Sequence, residues 1–275
     1  MKGDAPSAAG WHVGPRLSPA GGVVIAGADL SAPLSPALKE AILRALRDHH
    51  IVVFPQQNLT REQQFLFAAT FGEVEPPRAG KRHAVAHILS NLDEHGHLLA
   101  GSSPAANDHW HTDKPYHPLP PSLTTLYAVE LPPAGGDTEF ANTAMAYAAL
   151  PEEVKRRIAG LRVVFSPQFV TDPRRRTAVA HPLVRTHPDT GEKALYLGNH
   201  AVGILGMPAA AGAALLGELL EHATQQRFVY THRWHVGDLI MWDNRCLLHR
   251  AVANYDRARY RRVLHRSLVG GTAPF

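Results

Sequence analysis

Apolar residues switch between helical and strand periods several times along this chain, and the switches mark its elements. After Ser35-Pro36, the run ALKEAILRALRDHH places Leu38, Ile42, Ala45, Leu46 and His49 at helical spacing, with proline at the first helical position. IVVFP, residues 51–55, is a short β-branched run ended by proline and predicts a buried strand. Thr60 followed by Gln63 predicts a capping box that opens a helix through REQQFLFAATFG, stopped at Gly72. From Glu73 to Asp108 the pattern dissolves into Pro, His, Gly and Asn. Loops of that length are commonly lids or binding segments, and both 73–108 and 166–180 are expected to be lid-like.

Strand-like runs then recur at LTTLYAVEL (123–131), DTEFA (137–141), LRVVF (161–165), HPLVRTH (181–187) and ALYLG (194–198). RFVYTHRW (227–234), GDLIMW (237–242) and RVLHRSLV (262–269) complete the set, with helical interruptions at 143–159 and 208–225. Many short strands separated by Gly/Pro turns predict a mainly β fold, a sandwich or barrel closed from two sheets, with flanking helices. A length of 275 residues suits one such domain spanning residues 1–275.

Composition narrows the partners. One cysteine, Cys246, excludes an internal disulfide and any cysteine-based zinc cluster, and fits a reducing cytoplasm. No apolar run reaches bilayer length and MKGDAPSAAGWHVG lacks a secretory apolar region, so neither membrane nor export is expected. The net charge is +4, but the basic residues are scattered apart from Arg174–Arg176 and the stretch 257–262. No zinc-finger or RNP-like spacing accompanies them, so no specific nucleic-acid partner is expected. Phosphate-loop, dinucleotide-binding, nucleophile-elbow and zincin motifs are also missing from the sequence.

The candidate chemistry starts at His111-Thr112-Asp113. On a strand, positions i and i+2 face the same way, and two such ligands plus a distant third make a mononuclear iron site. With 18 His and 24 acidic residues, roughly 1.6 such pairs arise by chance. The second pair, His187 and Asp189, flanks the hairpin turn Pro188-Asp189-Thr190-Gly191 and is set aside. His249, after GDLIMW, is the candidate third ligand. Arg262 and Arg266, four apart on a strand, would share one face and suit a dicarboxylate, which guanidinium binds as a fork.

WHTD at 110–113, GGDTEF at 135–140, WDNRCLLHRA at 242–251 and RRVLHR at 261–266, in that order, resemble the TauD/TfdA family. That family comprises iron(II)- and 2-oxoglutarate-dependent dioxygenases on a double-stranded β-helix core, a cupin-like jelly roll. The segments HPLVRTHPDTGEKALYLGNHAVGILGMP and LLEHATQQRFVYTHRWHVGDLIMWDNRC look most like its 2,4-dichlorophenoxyacetate (aryloxyalkanoate) branch. Lys114-Pro115 departs from the taurine branch. The resemblance implies that His111, Asp113 and His249 hold Fe(II) at the catalytic centre, leaving positions for the keto acid and O2. It implies that Thr138 and Arg262 bind the distal carboxylate of 2-oxoglutarate, and that Arg266 lies near its 1-carboxylate and the substrate anion. Asn107 and His200 match positions implicated in substrate binding. The segment 255–262 looks longer than in relatives, which makes Arg261 the alternative to Arg262.

The implied activity is hydroxylation of a small anionic organic molecule while 2-oxoglutarate becomes succinate and CO2. An aryloxyacetate hydroxylated beside its ether oxygen would collapse to a phenol and glyoxylate. The alternatives are a taurine-like alkylsulfonate, a sulfate ester or an amino-acid-derived substrate, or a non-catalytic iron and 2-oxoglutarate sensor. Relatives imply a homo-oligomer, dimer or tetramer. Trp110, Trp242 and Cys246 read as packing residues, and Arg78, Lys81, Arg82 and His83 as solvated loop charges of which at most one meets the substrate.

Overall fold

The computed structural model describes residues 10–75, 87–93, 95–99, 106–167 and 178–275. Two helices begin where local chemistry dictates. Helix α1 (Pro36–His49) is capped by the Ser35 hydroxyl, which accepts from the Leu38 N–H at 3.2 Å. Helix α2 (Arg61–Ala69) carries the reciprocal Thr60–Gln63 capping box. The early strands are β1 (His12–Ser18), β2 (Gly21–Ala26), β3 (Ile51–Phe54) and β4 (His87–Ser90), followed by β5 (Leu123–Glu130) and β6 (Thr138–Asn142). Helices α3 (Thr143–Ala148) and α4 (Glu152–Ile158) precede β7 (Arg162–Phe165), β8 (Val179–Pro182), β9 (Val184–Thr186), β10 (Lys193–Leu195) and β11 (Ala201–Ile204). Helix α5 (Ala209–Ala223) leads into β12 (Val229–His232), β13 (Leu239–Asp243), β14 (Leu247–Ala251) and β15 (Val263–Val269).

A seven-stranded sheet in the order β1-β2-β3-β13-β5-β15-β4 forms one layer. The opposing layer is built from β12-β6-β14, β11-β7-β8 and the β9–β10 hairpin. Strand alternation sorts the large sheet's side chains between two cores. Leu123, Tyr127, Leu239, Met241 and Val269 pack under α1 and α2. Leu126, Ala128, Ile240, Trp242 and Leu264 point the other way, toward Phe140 and Leu247 of the small sheet. A third cluster places Leu215, Leu216 and Leu219 of α5 against Val163, Phe165 and Ile204. Each fully buried side chain of this size stabilises the fold by about 1.5–3 kcal/mol. The outcome is the expected jelly roll with flanking helices. No helix among the described residues is long and apolar enough to cross a membrane.

Several elements differ from the sequence expectation. The helical stretch 143–159 is two helices, because Pro151 has no N–H to continue the first and instead opens α4. HPLVRTH is divided at Leu183: β8 pairs with β7, and β9 turns to pair with β10. A strand, β4, lies within the stretch expected to be patternless; at four residues it is too short to carry a period. His249 follows β13 as expected but itself lies on a further strand, β14, and Gln226–Phe228 form a 3-10 turn before β12.

The end of β13 carries a buried ion pair outside the candidate site. Asp243 accepts from Arg245 (2.6 and 2.9 Å) and from His187 Nε2 (3.0 Å), while Asp189 pairs with Arg245 at 2.8 Å. Burial pushes the Asp243 carboxyl up, but the Arg245 charge and the His187 bond outweigh it and hold it well below the usual range. The pair therefore stabilises the fold fully above the unfolded carboxyl pKa of about 3.9 and is lost as pH falls below it. Asp243→Asn is expected to cost about 3–5 kcal/mol in urea unfolding at neutral pH, with a smaller remaining loss of stability below about pH 4 than in the parent.

Candidate metal centre and its cavity

His111 and His249 face each other across a single rung of antiparallel backbone pairing. The His111 N–H donates to the His249 carbonyl at 3.0 Å, and the His249 N–H returns a bond at 2.7 Å. The rung places the two rings 4.2 Å apart, centre to centre. His111 is thus not part of a continuous strand, and Asp113 follows it past a bend, with Lys114 next at φ +45°. This corrects the strand geometry expected for His-x-Asp: a bridge and a bend, not a pleat, turn both side chains inward. Gly198 backs the corner at φ +126°, where a Cβ would meet the Trp110 carbonyl oxygen at 3.1 Å and the His111 Cα at 3.2 Å.

All three side chains are buried. Asp113 Oδ1 accepts from Arg266 Nη1 at 2.9 Å, Oδ2 accepts from the Thr124 hydroxyl at 2.6 Å, and Oδ2 lies 3.8 Å from His249 Nε2. Burial alone would push the Asp113 carboxyl up. The Arg266 charge, the two histidines once they are protonated, and the Thr124 bond outweigh that and hold it far below the usual range. Burial lowers both histidines, His249 to about 3 with help from His111, so both are neutral at neutral pH. His111 Nδ1 lies 2.7 Å from the His109 carbonyl, which assigns the proton to Nδ1 and leaves Nε2 with its lone pair.

Donor atoms of His111, Asp113 and His249 all lie within 4.8 Å of one another. Two neutral imidazoles and one carboxylate are the donor set of a mononuclear iron(II) site with open positions, so the residues fit that metal. A second close group, His187, Asp243 and Cys246, does not fit a cation. Its carboxylate is already taken by Arg245 and His187, and burial pushes the Cys246 thiol well up, away from thiolate.

His111 and His249 open on a small cavity between the two sheets, with Asp113 behind them. Leu126, Trp242, Leu264 and Arg266 line it from the large sheet; Thr138, His249 and Ala251 line it from the small one. Leu89, Asn107 and Arg262 complete the wall. Trp242 is both packing residue and cavity wall, edge-on to the His249 ring at 4.8 Å. Trp110 packs beneath the Arg250 guanidinium, 4.6 Å from ring centre, and Cys246 is buried.

Arg262 borders the cavity and Arg261 does not. Arg261 pairs with Glu130 at 2.9 Å on the exposed side. Arg262 donates from Nε to the Gly136 carbonyl at 2.9 Å, and among the described residues no carboxylate pairs with it. Burial lowers its pKa to about 10. Thr138 lies in the wall, and its hydroxyl accepts from Trp234 Nε1 at 2.9 Å. Asn107 lies on a 3-10 turn whose next residue, Asp108, pairs with Arg257 at 2.7 Å. His200 is not a lining residue of this cavity: its ring stands edge-on to Tyr116 at 5.0 Å, and burial followed by the His111 charge lowers it to about 4. Arg78, Lys81, Arg82, His83 and Arg174–Arg176 lie outside the described residues.

Sequence reasoning missed the residues behind the wall. Asn244 donates to Thr124 Oγ1 at 2.8 Å, accepts from Trp242 Nε1 at 3.0 Å, and takes the Thr112 hydroxyl on its carbonyl at 2.9 Å. Asn91 holds the carbonyls of Arg257 and Tyr260, each at 2.9 Å, and accepts from the Arg262 N–H. The one available signal was the polar pair Thr124-Thr125 within the mostly apolar run LTTLYAVEL.

Comparison with known proteins shows the family. The family described as Taurine catabolism dioxygenase TauD, TfdA family matches residues 14–268. The chain is 38% identical to an alpha-ketoglutarate-dependent 2,4-dichlorophenoxyacetate dioxygenase of Burkholderia sp. (strain RASC), covering 88% of this chain and 89% of the relative. It is 33% identical to an alpha-ketoglutarate-dependent sulfate ester dioxygenase of Pseudomonas putida, over 92% and 87% of the two chains. Among solved structures, AAD-2 in complex with Mn(II) and N-oxalylglycine superposes with a TM-score of 0.89 at 35% identity, covering 96% of this chain and 99% of that one. A taurine dioxygenase from Burkholderia xenovorans gives 0.82 at 33% identity, over 96% and 92%. The chain belongs to the TauD/TfdA family of dioxygenases.

Proposed function

We propose that this protein is an iron(II)- and 2-oxoglutarate-dependent dioxygenase that hydroxylates a small organic anion. The observation that carries the reading is the cluster of His111, Asp113 and His249 beside a cavity whose wall holds Arg262, a guanidinium that pairs with no carboxylate among the described residues. A bound ferrous ion supplies O2 activation coupled to decarboxylation of 2-oxoglutarate to succinate and CO2.

The chain's own residues do the rest. The two imidazoles offer Nε2, with the His111 proton parked on the His109 carbonyl. Thr124 and Arg266 keep Asp113 ionised and oriented. Arg262 and Thr138 receive the distal carboxylate of the keto acid, as charge and hydroxyl donor. Leu126, Trp242 and Leu264 exclude water around the reacting centre. Arg266, on the metal side of the cavity, serves the 1-carboxylate and the substrate anion. Asn107 contacts substrate from the wall, and His200 acts on it from beyond the lining.

An aryloxyalkanoate is the favoured substrate, supported by the 2,4-dichlorophenoxyacetate dioxygenases and by an (S)-phenoxypropionate dioxygenase of Sphingobium herbicidovorans at 33% identity. A sulfate ester or alkylsulfonate is the second reading, supported by the Pseudomonas putida relative. A single domain, a homo-oligomeric assembly and a cytoplasmic location belong to the same proposal. The overall test is succinate release across a panel of aryloxyacetates, sulfonates and sulfate esters. Binding of iron and 2-oxoglutarate with no succinate from any of them would favour a sensor.

Four substitutions divide the roles. His111→Ala should abolish both Fe(II) binding by calorimetry and turnover; full activity in that variant would overturn the ligand set. Arg262→Ala should raise the KM for 2-oxoglutarate about 100-fold or more, since removing one partner of a buried charge pair costs about 3–5 kcal/mol. Arg261→Ala should leave that KM within about twofold, as expected when an exposed ion pair is removed. Thr124→Val removes the hydroxyl bound to Asp113 and is expected to weaken Fe(II) affinity about 10–100-fold, read by competition with a metal indicator.

A further inference from the structure

Thr138 is reached from behind by a side chain that no sequence motif marks. It sits at the start of β6, paired with His232 of β12 on one side and Ala251 of β14 on the other. Two residues beyond His232, the Trp234 indole crosses back and donates Nε1–H to the Thr138 hydroxyl at 2.9 Å, a bond buried at both ends. The indole is itself fixed: the His232 ring stands edge-on to it at 4.7 Å and 83°, and His232 Nε2 is bonded to Asp238 at 3.1 Å.

An indole N–H can only donate, whereas a threonine hydroxyl has one proton and two lone pairs. The Trp234 bond therefore occupies one lone pair and bars the hydroxyl proton from that direction. Accepting a bond also polarises the O–H and strengthens it as a donor. Thr138 lines the cavity that Arg262 borders, so a carboxylate placed there meets a proton already turned away from the indole.

We propose that Trp234 is a positioning residue that orients and polarises the Thr138 hydroxyl as a donor to the distal carboxylate of the keto acid. This rests on the reading of Thr138 and Arg262 given above. The indole touches neither metal nor keto acid in this scheme and acts only through the hydroxyl. Its effect is confined to ligands that carry the distal carboxylate.

The test is a double-mutant cycle in the Mn(II)-loaded protein without oxygen, with affinity read from ligand-induced thermal shifts. Trp234→Phe should weaken 2-oxoglutarate binding about five- to twentyfold, the range for a partial loss of a hydrogen bond to a charged group. In a Thr138→Val background the same change should alter binding by less than about twofold, because the hydroxyl it acts on is gone. Binding of 2-oxopentanoate, a keto acid with no distal carboxylate, should be equally insensitive to Trp234→Phe. A purely structural tryptophan would weaken both keto acids and would do so in either background, which overturns the inference. If Thr138→Val alone leaves 2-oxoglutarate affinity intact, the reading of Thr138 fails instead. If Thr138→Val weakens binding and Trp234→Phe does not, the role of Trp234 alone is refuted.

Discussion

A buried carboxylate held ionised between two neutral imidazoles is the constraint around which this molecule is built. Asp113 is surrounded by the apolar interior of a jelly roll, where an unpaired charge costs several kcal/mol. It keeps its charge because Arg266 from the large sheet and Thr124 from the neighbouring strand both bond it. Thr124 can do so because Asn244 holds it, and Asn244 is fixed in turn by Trp242 and Thr112. The polar network is thus nested inside a hydrophobic layer, each member bonded to the next. Such networks rigidify a site when complete and destabilise it when one member is lost.

The same constraint explains the division of labour between the sheets. Histidine 249 and Thr138 come from the small sheet, while Arg266 comes from the large one. Closing the two layers over the core brings metal donors, hydroxyl and guanidinium together. The chemistry is therefore coupled to packing of the inter-sheet core, in which Trp242 and Phe140 meet edge to face at 5.3 Å.

How much of this could be read from the sequence depends on the range of each interaction. Ser35 and Thr60 announced their helices because a cap acts over three residues. The candidate metal triad was singled out through four ordered motifs, although the local geometry of His-x-Asp was not: a single backbone rung and a bend replace the strand. Arg262 was favoured with Arg261 as its alternative, because the preceding segment 255–262 leaves the register open to sequence reading; in the fold Arg262 borders the cavity and Arg261 pairs with Glu130. Thr124, Asn244 and Trp234 left almost no trace. Their partners lie 11, 120 and 96 residues away, and nothing in a local pattern encodes a contact of that span.

The reciprocal rung between His111 and His249 has a consequence for how this protein ages and recovers. Two donors of the centre share one pair of peptide bonds, so any opening that separates those peptides releases both at once. Holding and losing the ion become a cooperative event, governed by the local breathing of a few residues rather than by melting of the whole barrel. An ion bound across that rung would staple it shut, making occupancy of the centre a lock on the very backbone that creates it.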